Sequence, residues 1–173
     1  MIWRTLLGAA LVAAAAGWYL TRPATIADGA LEGITPDLVR GEWVFHAAGC
    51  ASCHAAPGAE TDEARLVLAG GQRFETPFGT FVAPNISPHP EAGIGGWSEA
   101  EIVTAVALGT SPGGAHYYPA FPYAAYAKAS AEDLVHLAAY LRTLPPDPTP
   151  SGDHDLGFPF NIRLGIGAWK LLY

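Results

Sequence analysis

Cys50-Ala51-Ser52-Cys53-His54 is the stretch on which the reading of this chain turns. Two thiols three positions apart, followed at once by histidine, make the C-x-x-C-H pattern to which c-type haem is attached. Each thiol adds across one vinyl group of the porphyrin, and the two intervening residues set the sulfurs about a vinyl-to-vinyl distance apart. His54 is then held under the iron as its proximal ligand. No other cysteine occurs in the 173 residues, so none is left for a disulfide. Zinc would want a second ligand pair at similar spacing, and a thioredoxin-type redox pair would want βαβ surroundings. The sequence offers neither. The expectation is one haem c, covalent through Cys50 and Cys53, and one-electron transfer.

Hydrophobic residues make up 50% of the chain, a figure inflated by the first twenty positions. A haem is itself a large apolar body around which a small helical domain can build its core. Formal charge is −7, with 16 acidic against 9 basic residues. That balance argues against nucleic acid and for a partner with a basic surface, although ordinary solubility explains net charge equally well. Haem attachment through cysteine also constrains location, because in bacteria it takes place outside the cytoplasmic membrane.

From Ile2 to Leu20 the chain is apolar but for Arg4 and Thr5, and Leu6 to Leu20 carries no charge. A cleavable signal peptide needs a basic start, a short apolar stretch and a small-x-small site, which Ala13–Gly17 could supply. An uncleaved anchor needs about 20 apolar residues with aromatic residues at the membrane surfaces. Trp3 and Trp18-Tyr19 meet that requirement, Arg22-Pro23 closes the helix, and cleavage after Ala16 would expose Gly-Trp-Tyr-Leu. We therefore read 1–22 as a membrane anchor with Arg4 in the cytoplasm and the remainder outside. Residues 23–36 are a spacer, 37–145 the haem domain, and 146–173 a Pro-rich linker with an apolar tail.

Within the domain, Asp37 to about Ala48 reads as a helix, with Thr35-Pro36 as its start signal and Gly49 as its stop. Gly41 and Phe45 share one face. Phe74 to Val82 reads as a small hairpin turning at Pro77–Gly79, and Ala83 to Pro88 as extended loop. Asn85-Ile86-Ser87 formally matches a glycosylation acceptor, discounted for a bacterial chain. Ser98 and Glu101 form a capping box that opens a helix running to Gly109. A second box, Ser130 with Asp133, opens another to about Thr143, whose Leu134, Leu137, Ala138 and Leu141 make an apolar stripe.

These features resemble a class I cytochrome c: all-α, helices around one covalent haem joined by long Gly/Pro-rich loops, here with an N-terminal transmembrane helix. In that fold a helix ending at C-x-x-C-H crosses the last helix through a glycine and two aromatics, roles that Gly41, Phe45 and Tyr140 suit. Phe45 lies one residue further from the first cysteine than is common, which implies a bulged helix end. Residues 40 to 173 are similar to the haem domains of cytochrome subunits from bacterial membrane-bound dehydrogenases, such as those of alcohol and gluconate. Gly-Cys-Ala-Ser-Cys-His, Thr-Pro-Phe-Gly-Thr, Pro-Asn-Ile-Ser-Pro, Gly-Ile-Gly-Gly-Trp-Ser, Tyr-Pro-Ala-Phe-Pro-Tyr and Phe-Pro-Phe-Asn-Ile-Arg occur in that order. Those subunits usually carry further haem domains. They also usually have methionine, the implied distal ligand, where this chain has Phe121.

Met1 is the only methionine, so sulfur ligation within the domain is excluded by composition. Three options stay open for the sixth iron position: histidine, another donor such as Lys128 or a tyrosine, or no side chain at all. His116, five residues before Phe121, is the favoured ligand. A hydrogen bond to a haem propionate is its alternative role. The residues and the resemblance together lead to the expectation of a membrane-tethered periplasmic monohaem cytochrome at the bacterial inner membrane, without substrate chemistry of its own. It would carry electrons from a periplasmic dehydrogenase to a quinone-linked complex or terminal oxidase, as a carrier or as a subunit. The alternatives are a gas-binding or peroxidatic haem protein with an open distal site, and a structural subunit docked by its tail.

Overall fold

The computed structural model describes residues 2–27 and 29–172. Helix α1 spans Ile2–Thr21, and no residue in it is buried. It is long and apolar enough to cross a membrane. The spacer after it is not a free tether. Ile26, Leu31 and Ile34 pack on a buried cluster of Val103, Ala107, Leu134 and Val135, and the Ile26 amide donates to Thr104 Oγ1 at 3.0 Å.

Helix α2 runs Leu38–Ala47. Its N-cap is Asp37 and not Thr35. The Asp37 carboxylate accepts from the Val39 and Arg40 amides, two of the donors a helix start leaves without partners. The short helices α3 (Cys50–His54) and α4 (Asp62–Arg65) follow. Strands β1 (Arg73–Thr76) and β2 (Gly79–Val82) form the expected hairpin, Phe74 opposite Phe81. Helix α5 (Glu99–Leu108) carries the Ser98/Glu101 capping box in full and stops at Gly109 in the left-handed region. Helix α6 is Tyr123–Tyr126 and α7 is Ala131–Leu141. In the second box only half of the exchange is present. Ser130 caps the Asp133 amide, while the Asp133 carboxylate turns to Arg40, 2.7 Å from its Nε.

The protein is not purely helical. Strand β3 (Asp155–Leu156) pairs with β2, making a three-stranded antiparallel sheet in the order β1-β2-β3. Two residues with no alternating pattern give no period to read. Helix α8 (Gly165–Leu172) closes the chain and packs against α1.

The core sits where α2 crosses α7. A Cβ at Gly41 would run into the His136 carbonyl and Tyr140 Cβ, so only glycine lets the backbones approach this closely. Phe45, 1% exposed, packs beside the crossing, its ring 5.3 Å from that of Tyr140. Leu68, Ile94, Ile102, Leu137, Ala138 and Leu141 complete the cluster. Thus the glycine–aromatic crossing expected of Gly41, Phe45 and Tyr140 is present.

Candidate haem-attachment site

The crossing delivers the attachment motif. The Ala48 amide bonds back to the Val44 carbonyl and the Gly49 amide to that of His46. Gly49, at φ +68°, then turns the chain into α3. This break takes up the extra residue between Phe45 and Cys50: the helix ends early instead of bulging. Ser52 Oγ donates to the Gly49 carbonyl at 2.5 Å and holds the turn.

Cys50 is half-buried and Cys53 exposed, and neither is in a disulfide. Burial pushes the Cys50 thiol up to about 12. Among the described residues no three His, Cys, Asp or Glu side chains converge on a metal position.

The imidazole of His54 fits an axial role. Its Nδ1 donates to the Pro84 carbonyl at 2.8 Å, which places the ring proton on Nδ1 and leaves the Nε2 lone pair for iron. Burial lowers its pKa, partly opposed by the Pro84 bond, and favours the neutral, metal-binding form.

A buried latch backs the Pro84 carbonyl. Gly70 donates to the His54 carbonyl at 2.7 Å, and at φ +71° it lies against the Pro84–Asn85 backbone where a Cβ would not fit. Asn85, 3% exposed, sends Nδ2 to the Asp147 and Thr149 carbonyls at 2.9 and 2.8 Å and accepts from the Ser87 amide at 2.8 Å. Its amide nitrogen is fully engaged inside the domain, which excludes glycosylation of this folded state. The Pro-rich segment that reads as a linker is therefore the far half of this latch. An Asn with polar neighbours gives no sequence signal for burial, so the sequence could not have revealed it.

On the other side, Tyr126 donates to the Ala48 carbonyl at 2.8 Å. Burial raises its hydroxyl pKa, and both cysteine sulfurs add to the shift because they lie nearby. Phe121 packs on Tyr126 with ring centres 5.6 Å apart, and on Tyr117 and Tyr123 at 6.0 and 6.3 Å. An aromatic wall, without sulfur or imidazole, stands on this side of the thiols.

His116 is elsewhere. It is 7% exposed, and its Nε2 donates to the Thr21 carbonyl at 2.8 Å at the end of α1. Its Nδ1 is covered by protein atoms and has no hydrogen-bond partner among the described residues. Its contacts are with α1 and α8, where its Nε2 is engaged at the Thr21 carbonyl. The expectation of iron ligation rested on spacing from Phe121. The His116 backbone forms a β-bridge with Thr110. The remaining histidines are also placed. His154 Nδ1 accepts from the Val82 amide, His136 Nδ1 from that of Asp37, and His89 Nδ1 from those of Glu91 and Ala92. His46 is exposed on α2.

The profile of the cytochrome c family matches residues 38–145. A diheme cytochrome c-type protein of Cereibacter sphaeroides is 54% identical over 166 residues, 96% of this chain and 56% of its own length. The fructose dehydrogenase cytochrome subunit of Gluconobacter japonicus is 36% identical over 137 residues, 79% of this chain and 27% of its own. The gluconate 2-dehydrogenase cytochrome c subunit of Pantoea cypripedii is 34% identical over 132 residues, 76% and 29%. The chain thus spans about half, or less, of each of these relatives. The matched region runs from the first residue of α2, through the attachment motif, to the segment just past α7, and on that match the chain belongs to the cytochrome c family.

Proposed function

We propose that this chain is a membrane-tethered, class I c-type cytochrome with one haem, which carries single electrons on the periplasmic face of a bacterial inner membrane. The electron-transfer role follows from the family, in which the haem is covalent through two cysteines. Cys50 and Cys53 are the only two here. When bound, the haem supplies reversible one-electron chemistry at iron. The chain's own residues do the rest. Cys50 and Cys53 anchor the macrocycle, His54 offers Nε2 to the iron, and the Pro84 carbonyl fixes that ring's orientation. Tethering is supported by α1, and the partners by the relatives. Subunits of fructose and gluconate dehydrogenases suggest a periplasmic dehydrogenase as donor. The alcohol dehydrogenase (quinone) subunit suggests a quinone-linked acceptor. Substrate chemistry would then belong to the partner.

The observation that carries the site is the His54 Nδ1–Pro84 bond beside an unbridged thiol pair. The test is haem retention after denaturation. Wild type should keep its haem through two thioethers, and Cys50→Ala/Cys53→Ala should lose it. A double variant that still holds covalent haem would overturn the assignment.

One observation favours a second reading, a haem protein whose sixth position is open to small ligands. His116 is engaged at α1, and Phe121 has no lone pair. Carbon monoxide separates the two readings: rapid binding to the reduced wild type supports the open site, and its absence supports a carrier with another internal donor.

A further inference from the structure

The charges of this chain are segregated. All 16 acidic residues lie between Asp28 and Asp155, together with five of the nine basic ones. The two flanks, 1–27 and 156–173, carry Arg4, Arg22, Arg163 and Lys170 and no acidic residue. These flanks meet in space. Gly167 of α8 is buried against the Thr21 carbonyl, where a Cβ would not fit. Leu20, Thr21 and Arg22 share a cavity of about 170 Å³ with Lys170 and Leu171.

Helix α8 is two-sided. Gly167 and Lys170 face inward. Lys170 Nζ donates to the Leu108 and Gly109 carbonyls at 2.7 and 2.9 Å. Just before the helix, Arg163 donates to the His116 carbonyl at 3.1 Å. Both tail cations are thus spent on the domain. Leu164, Ala168, Leu171 and Leu172, at helical spacing, point out, with Leu164 and Leu172 75% and 77% exposed. Phe160, packed edge-to-face on Phe78 at the tip of the β1-β2 hairpin with ring centres 4.8 Å apart, and Phe158, 81% exposed, extend this face. It is a continuous apolar surface of the kind that marks an interaction site.

From this juxtaposition we infer that the outer face of α8 and the preceding Phe158–Leu164 segment is seated in the bilayer surface beside the exit of α1. This inference rests on the reading of α1 as a membrane span. Three features favour lipid over a protein partner. The face is continuous with the end of α1 that carries Trp18 and Tyr19, the residues that settle at headgroup level. It contains no acidic group to repel anionic headgroups, and Arg22 sits at its edge to attract them. Every acidic residue lies outside these two flanks, the nearest to the hairpin tip being Glu75 and Asp155, both paired with Thr80, so an anionic surface draws the flanks more than the body. Interfacial helices bind by such a combination of buried apolar area and basic flanks. The consequence is a fixed orientation: α1, α8 and the hairpin tip give three points of support and set which side of the haem domain faces away from the membrane.

The test uses the full-length holoprotein in vesicles of phosphatidylcholine mixed with phosphatidylglycerol. Both native cysteines are taken by haem, so one added cysteine can be labelled alone with a nitroxide. Labels at Leu164→Cys and Leu172→Cys should collide several-fold more often with lipid-dissolved oxygen than with a water-soluble nickel chelate. Glu60→Cys, on the acidic body, should show the reverse, and Leu11→Cys reports the span. If Leu11 is lipid-like while Leu164 and Leu172 match Glu60, the seating is wrong and the span stands. If Leu11 is also water-like, both fail. Labels at 164 and 172 shielded from both reagents would show that protein covers the face, and would overturn the lipid assignment.

Discussion

The imidazole Nε2 of His116 and the carbonyl oxygen of Thr21 lie 2.8 Å apart, joining the domain to the last residue of α1. Helix C-termini leave their final carbonyls without intrahelical donors, and His116 supplies one. A ring nitrogen that donates its proton to a carbonyl has no lone pair for iron.

His116→Ala should therefore leave the optical spectrum and spin state of the holoprotein as they are. It should loosen the joint, lowering stability by roughly 1–2 kcal/mol through a lost buried hydrogen bond and packing. Limited proteolysis between Arg22 and Ala27 reads the loosening. A variant that instead turns high-spin and gains carbon monoxide affinity would restore His116 as the axial ligand.

Phe121→Met should place a thioether among Tyr117, Tyr123 and Tyr126, at the position where the family resemblance implies a methionine ligand. Sulfur ligation would raise the reduction potential and suppress carbon monoxide binding. Potentiometry of the two proteins checks this, and an unchanged potential would place residue 121 away from the iron.

Gly41→Ala should force α2 from α7, because the new methyl meets the His136 carbonyl and Tyr140 Cβ. Overpacking of this kind costs about 1–3 kcal/mol, measurable as a lower denaturation midpoint of the holoprotein. Equal midpoints would mean that the crossing is looser than described.

Asn85→Ala should cost about 3 kcal/mol, since it strips donors from two carbonyls and an acceptor from the buried Ser87 amide. Asn85→Asp keeps the acceptor but turns a carboxylate toward the Asp147 and Thr149 carbonyls. Its folded pKa must rise above the ordinary value near 3.9, so protonation relieves the clash. The penalty should shrink in acid and grow as pH rises through that window. A penalty independent of pH would show that the latch opens.

The wild-type domain should soften in mild acid. His154 Nδ1 accepts from the Val82 amide at 3.1 Å, and the ring lies 5.4 and 5.5 Å from Phe81 and Tyr118. Burial, with Arg163 adding to it, lowers the His154 pKa below the ordinary value. A depressed folded pKa means that this stability is present above the unfolded value near 6.5 and is lost as pH falls through the folded one. Hydrogen exchange of the Val82 amide across pH 7 to 5 follows the loss, and His154→Gln should flatten it.

The sequence reveals the parts of the fold that repeat or punctuate. The stripe on α7, the capping box at Ser98, the glycine stops at Gly49 and Gly109, and the C-x-x-C-H motif each carry a local signal. What it hides depends on partners far along the chain. The Thr35-Pro36 start signal is outweighed by Asp37, one carboxylate oxygen of which accepts from both the Val39 and Arg40 amides. Asp133 prefers Arg40 on another helix to its own capping box. His116 lies close in sequence to Phe121, yet its ring bonds to the Thr21 carbonyl, 95 residues away. Strand β3 is too short to have a period and exists because β2 has an open edge.

The latch at Asn85 also has an order in time. Its side chain reaches forward along the chain, to carbonyls 62 and 64 residues later. A ribosome releases Cys50–His54 well before it releases Asp147 and Thr149. Throughout that interval the Pro84 loop can be held to the histidine only by its nearer contacts, those of Gly70 with the His54 carbonyl and of Gly71 with that of Ala83. Asp147 and Thr149 then add the two carbonyls that take both protons of the Asn85 side-chain amide. The support behind the Pro84 carbonyl that orients His54 thus depends on a segment that leaves the ribosome some sixty residues later.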